Sequence, residues 1–417
     1  MSIEAACWPH QDRSATLPGM AHFTFCWELG GGLGHAGRIR SLAQPLVARG
    51  HRVSLVLRDL VLTRTLLADL ALPCYQAPVW LHRTAGLPPQ EASLAEILLG
   101  CGYLDAGALA GLVDGWCALF SLDRPDLVIA DYAPTALLAA RSMGIGSASV
   151  GPGFYMPPAH APLPQLALHG ELPASRLAAG EQRLLASCNA VLAAHGAPPF
   201  AHGADLLLGD HALLCTWPEL DHYGRGGPGP WLGPNLSAGG GAAPEWPPGE
   251  GPRAFVYLSR NGEADGACLA ALVRQGCRVL CYAPAIAAGK APPFAAPALR
   301  YARAPVALEQ VFAQCELFVG VAGESSVTRA LLAGVPALLM PHSAESFMLA
   351  RRVRQLGAGI NVAETSRPHD WDGMVRALLD APGYRAAARA FAARYADYRP
   401  GEQARMLAGR CEQLARS

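Results

Sequence analysis

The chain has 417 residues, too many for one compact core, so about two domains are expected. Hydrophobic residues make up 51% and charged residues 16%, which excludes a disordered chain and predicts well-filled cores. Lys+Arg and Asp+Glu both total 33, for a formal net charge of zero. That balance argues against nucleic acid as a partner, because phosphate backbones require a basic surplus.

Residues 1–20 read as a disordered N-terminal segment without a signal-peptide core. No run of about 18 uncharged apolar residues occurs, so no membrane-crossing helix is expected and the location is read as cytoplasmic. Twelve cysteines are present without a CxxC pair, and Cys26, Cys215, Cys281 and Cys315 lie in or beside apolar runs. Buried, reduced thiols and no bound metal are the expectation.

From residue 21 onward strand-like and helix-like segments alternate. The strand His22–Trp27 leads into Gly30–Gly34, after which Ile39, Leu42, Ala43, Leu46 and Val47 recur at helical spacing up to Gly50. Further strands are predicted at Val53–Leu57, Leu72–Ala77, Asp126–Ala130, Ser147–Val150 and Ala212–Cys215, with a helix over 135–143. Residues 216–252 break the pattern with Gly and Pro and read as a linker region. A second alternation follows, with strands at Phe255–Leu258, Arg278–Tyr282, Leu317–Val319 and Ala337–Met340, and then an Ala- and Arg-rich helical tail. The predicted class is α/β: two Rossmann-like, doubly wound parallel-sheet domains facing across a cleft. The domains span 21–220 and 253–383, a linker occupies 221–252, and helices of 384–417 pack back.

The glycine run forms an anion-friendly corner between a strand and a helix start, where Gly31, Gly32 and Gly34 let a ligand approach the backbone. It does not match GxGxxG, and Asp59 lies beyond Arg58 rather than closing the second strand, so a dinucleotide site is poorly supported. His35 follows the glycines at the helix start, whose dipole disfavours a charged imidazolium. Its two readings are a general base and a simple helix cap. Asp131 ends the fourth strand, which neighbours the first in the usual doubly wound order, so the pair would face one cleft with the carboxylate orienting the imidazole. Asp131 also reads as a cap on the following helix, and Glu28 is the reserve base.

Two stretches carry a family resemblance. "VGVAGESSVTRALLAGVPALLMPHSAESFMLARRVRQLGAGI" resembles the donor-binding region of GT-B glycosyltransferases of the UDP-glycosyltransferase / macrolide glycosyltransferase superfamily. "ELGGGLGHAGRIRSLAQPLVARGHRVSLVLRD" resembles that superfamily's acceptor-side opening. The resemblance is to a bacterial member with a divergent donor motif. It implies that the N-terminal domain binds an acceptor and the C-terminal domain a nucleotide-sugar, a UDP- or dTDP-sugar being the expected donor, with no cofactor. The donor residues implied are Gly323, Ser325 and Ser326 at a helix start, Glu345 on sugar hydroxyls, Ser259 with Asn261 near the phosphates, and Val306 in a loop, Ala304–Leu308, gripping the base.

Three positions depart from the family pattern. Val321 stands where a phosphate-binding His is usual and Ala322 replaces a glycine. The acid–glutamine pair is Glu345-Ser346, and Arg329 stands where a glutamate is common. His342 lies near enough in sequence to offer an imidazole. Asp370-Trp371-Asp372 reads as a helix cap rather than a metal site. The leading reading is therefore an inverting, metal-independent glycosyltransferase with His35 as base. The alternatives are a catalytically silent GT-B partner protein and a nucleotide-sugar epimerase. The Pro-rich, apolar loops Val79–Ala92 and Gly151–Leu166 point to a partly apolar small-molecule or lipid acceptor, with contact to a membrane surface where the acceptor is a lipid.

Overall fold

The computed structural model describes residues 19–166, 170–227, 229, 231–237, 239–259 and 262–416. The expected N-terminal segment falls almost wholly on residues 1–18, outside the described residues, and so does Asn261.

Two six-stranded parallel sheets are present. The first contains β1 (His22–Trp27), β2 (Arg52–Leu57), β3 (Cys74–Gln76), β4 (Leu127–Asp131), β5 (Ser147–Gly151) and β6 (His211–Leu214), in the order β3-β2-β1-β4-β5-β6. The second contains β7 (Arg253–Tyr257), β8 (Arg278–Tyr282), β9 (Leu299–Tyr301), β10 (Leu317–Gly320), β11 (Ala337–Leu339) and β12 (Gly359–Asn361), in the order β12-β11-β10-β7-β8-β9. Counted within each domain the order is the same, so in both the first and fourth strands are neighbours and the switch point lies between them.

Burial on both faces explains the unbroken apolar strands. All six residues of β1 are buried. Phe23, Phe25 and Trp27 point to the face covered by Ile39, Leu42 and Leu46 of the helix Leu33–Ala48, while Cys26 points to the opposite face. β9 and β12 are three-residue strands at the sheet edges that the sequence does not predict, whereas it does predict the equally short edge strand β3.

The helix Ala106–Asp123 is long and apolar enough to cross a membrane by composition alone. Here Leu109, Val113, Trp116 and Phe120 pack into the core, and Asp114 is exposed. Cys26, Cys215, Cys281 and Cys315 are buried free thiols.

Among its described residues, the segment between β6 and β7 contains no helix or named strand, and it is fastened to both domains. Asn235 Nδ2 donates to the Arg38 carbonyl at 3.2 Å, and Arg329 Nη2 donates to the Ser237 carbonyl at 2.6 Å. The last helix, Pro400–Leu414, returns to the first domain, where Leu407, Ala408 and Cys411 join the core beside Leu42 and Leu46. Glu412 there accepts from Arg49 at 2.9 Å and pairs with His51 at 2.7 Å.

Candidate active site

Parallel pairing sets Trp27 beside Asp131 in register, so the glycine run after β1 and the end of β4 open at the same place. The helix Leu33–Ala48 starts from Gly32, at φ 85°, without a side-chain cap, and its first N–H groups are left free. His35 is the third residue of that helix and is buried. Its Nδ1 lies 2.7 Å from Asp131 Oδ1. Asp131 therefore does not cap the next helix, which begins at Pro134 and whose N-cap residue, Ala133, makes no side-chain bond.

Two residues that the sequence did not single out complete this cluster. Arg38 grips Asp131 with two donors, Nε to Oδ2 and Nη2 to Oδ1, both at 2.9 Å. The Tyr155 hydroxyl donates to Oδ1 at 2.6 Å. Burial works to raise the Asp131 carboxyl, but the Arg38 guanidinium and His35 overcome it and hold the group well below the usual carboxylate range. Burial keeps the Tyr155 hydroxyl protonated, against the pull of Arg38. The ionised carboxylate can only accept, so the 2.7 Å contact favours a proton on His35 Nδ1, although the Arg38 Nη2 donor also lies 2.9 Å from that nitrogen; in this tautomer the neutral ring has its lone pair on Nε2. Arg38 had a weak signal, since it lies one turn beyond His35 and shares its helix face. Tyr155 had none.

The imidazole is held flat between aromatic rings. It stacks on Trp27 at 5.1 Å and 14°, and Tyr132 lies 6.5 Å away on the way to Tyr155. Nε2 points back over the glycines, where a Cβ on Gly30 would lie 2.5 Å from it, and Gly30 has φ 76°. Gly30→Ala is thus expected to push the ring out of place and lower turnover by about 10²-fold. Nucleotide binding should survive, which steady-state kinetics and calorimetry on the same variant would check.

Glu28 is removed from this site. It accepts from the Thr135 N–H at 2.8 Å and the Thr135 hydroxyl at 2.6 Å, capping the helix Pro134–Met143 from β1. Burial pushes it up to about 7 although both Thr135 bonds oppose the shift.

On the second domain, the helix Glu324–Leu332 starts from Gly323, again without a side-chain cap. Ser325 and Ser326 lie in its first turn. The Ser325 hydroxyl is already held by Arg329, which also donates to Glu309 at 2.9 Å. Arg329 is therefore buried and engaged, bracing the helix start. Ala322 has φ 61° and is buried, so the residue that replaces glycine sits in the left-handed region. Tyr132, after β4, has φ 51°, and the two domains thus end their fourth strands in similar turns at the cleft.

Glu345 lies in the first turn of the helix Ala344–Gln355. Its charge reaches Tyr132 and His222 on one side and Glu324 on the other. Ser346 does not face outward with it, because its hydroxyl accepts from His342 N and Ser343 N, both at 3.0 Å. The His342 side chain is exposed. Ser259 is exposed beyond β7. Val306 is buried, and the peptide groups beside it are engaged by the linker, Ala242 N donating to Pro305 O at 2.8 Å and Ala307 N to Ala242 O at 2.9 Å. Asp370 caps a helix by accepting from Gly373 N at 2.8 Å, and Asp372 pairs with Arg274 at 2.7 Å. Among the described residues no group of three or more His, Cys, Asp or Glu converges as a metal site would.

Two expectations change on the acceptor side. Phe154, Tyr155, Met156, Leu163 and Leu166 turn into the core, so the apolar composition of that loop serves packing. Among the exposed apolar side chains, Leu33, Val61 and Leu81 follow β1, β2 and β3 at the carboxyl edge of the sheet. His222, read from sequence only as part of the linker, is buried against Phe154 at 5.9 Å, and neither ring nitrogen has a hydrogen-bond partner. Burial lowers it from the ordinary histidine value.

Two Rossmann-like domains, each with a ligand-ready switch point turned toward the other, define the GT-B class. Residues 296–410 match the family model described as Erythromycin biosynthesis protein CIII-like, C-terminal domain. The whole chain is similar in fold to the glycosyltransferase VinC in complex with dTDP, at TM-score 0.65 and 16% identity over 94% of this chain and 99% of that one. It is likewise similar to the glycosyltransferase SnogD from Streptomyces nogalater, at TM-score 0.61 and 20% identity over 94% and 99%. A third similar structure is the spinosyn rhamnosyltransferase SpnG complexed with spinosyn aglycone, at 0.61 and 18% over 93% and 100%. No curated protein matches.

Proposed function

We propose that the chain is an inverting glycosyltransferase that moves a sugar from a UDP- or dTDP-sugar to an acceptor hydroxyl without a bound metal. The observation that carries this reading is the His35–Asp131 contact at 2.7 Å on one wall of a cleft whose other wall is an uncapped helix start. The acceptor hydroxyl gives its proton to His35 Nε2 as its oxygen attacks the anomeric carbon from the face opposite the diphosphate. The bond from that carbon to the diphosphate oxygen breaks, the configuration inverts, and the imidazolium formed is stabilised by Asp131. Helix N–H groups at Glu324, Ser325 and Ser326 take the charge of the leaving diphosphate. Glu345 is placed for sugar hydroxyls.

The dTDP bound by VinC supports the choice of nucleotide, and the aglycone bound by SpnG supports an apolar acceptor. Exposed Leu33, Val61 and Leu81 support the same acceptor chemistry. One observation favours a silent partner protein instead: Val321 offers no donor, and a carboxyl, Glu324, stands on the anion-binding helix start. Thermal melting with UDP-, dTDP- and GDP-sugars separates the two. Stabilisation of about 2–3 kcal/mol near 100 times the dissociation constant is expected for a donor, and no shift with any of them would support the silent reading.

A further inference from the structure

Glu324 is the first residue of the helix Glu324–Leu332, and its Oε1 is shut off from solvent with no hydrogen-bond partner. A buried carboxyl oxygen left without a donor is costly, so its neighbours decide what state it takes. They come from three elements: Arg38 on the first helix, Asp131 at the end of β4, and Glu345 at the start of the helix Ala344–Gln355. The charge of Glu324 is felt in turn by Tyr155, Cys215 and Tyr398. Among the described residues Arg38 is the only cation acting on it, and it is already committed to Asp131 by two bonds. Burial, opposed by Arg38 and reinforced by Glu345 and Asp131, pushes Glu324 up to about 8. At neutral pH the side chain is thus an O–H donor.

A diphosphate on this helix start would bring its negative charges onto Glu324. An ionised carboxylate there repels it, while a protonated one hydrogen-bonds it. We propose that Glu324 is a ligand of the donor diphosphate, its protonated carboxyl donating to a phosphate oxygen where Val321 offers nothing, and that its ionised form excludes the nucleotide. No bond breaks in this step; the proton stays on Glu324 and is taken up from solvent when binding begins from the ionised form. The inference rests on the nucleotide-sugar reading above.

The test is calorimetric titration of the full chain with UDP-glucose and dTDP-glucose, at about pH 6.5 and about pH 9, in buffers of different ionisation enthalpy. For the wild type, binding should weaken about tenfold between the two pH values and take up protons at the higher one. Glu324→Gln, which keeps the shape and a donor, should bind with one affinity at both and take up none. Glu324→Ala should be equally insensitive to pH but weaker than Glu324→Gln. Wild-type binding that does not weaken at high pH, or the same pH dependence in Glu324→Gln, overturns the assignment of Glu324 alone. Absence of binding at either pH overturns the donor reading and this inference together.

Discussion

His35→Ala is expected to lower glycosyl transfer by about 10²–10⁴-fold, the range over which a positioned general base contributes. The nucleotide should bind as before, because the contacts proposed for it lie on the helix Glu324–Leu332 of the other domain. Folding should change little: Asp131 keeps both bonds from Arg38 and the one from Tyr155 when the imidazole is gone. Single-turnover kinetics with the donor that gives the largest melting shift, alongside its affinity, is the deciding measurement. Wild-type turnover in His35→Ala would remove His35 from the mechanism.

Arg38→Met is expected to act in the opposite way, chiefly on stability. Arg38 and Asp131 form a buried pair, with side-chain exposures of 12% and 1%. Removing the cation leaves a buried carboxylate with only neutral donors, a loss of about 3–5 kcal/mol. The pH dependence has a definite sign. The folded-state value of Asp131 is depressed below its ordinary 3.8, so its contribution is fully present above that value and is lost as pH falls toward the folded-state value. The variant should therefore be less stable than the wild type at neutral pH, with the gap closing as pH falls below about 4. Chemical denaturation at a series of pH values would show it. A constant gap across that range would mean that Arg38 stabilises by packing alone.

These two outcomes separate what the residues do within one cluster. His35 holds a lone pair over the glycines, and Arg38 keeps the carboxylate charged so that it can only accept. The other ring neighbours, Trp27 and Tyr132, keep the imidazole from turning.

Much of this was legible in the chain itself. The central strands are continuous apolar runs because both faces are covered, and β1 and β8 have the bounds their sequences predict. The pairing of His35 with Asp131 followed from the doubly wound order, in which the first and fourth strands must be neighbours. That is a property of topology and is carried by the alternation of strands and helices. The donor-side helix start was readable from Gly323 and the apolar run behind it. β9 (LRY) and β12 (GIN) were not readable, because neither lies within an apolar run.

What the tertiary structure alone decided is which side chains share space across long sequence distances. Tyr155 reaches Asp131 from the loop after β5, and the composition of that loop pointed to an acceptor pocket until its apolar residues turned inward. Arg329 and Ser346, two of the departures from the family pattern, are consumed by hydrogen bonds within the protein. Glu324 carries no signal in the sequence, and it is burial in the folded chain, reinforced by Glu345 and Asp131 against Arg38, that raises its carboxyl. Periodicity and turn chemistry are local and survive in the sequence. The state of a buried charge is the sum of burial and of every charge folded around it, and that sum exists only once the two domains face each other.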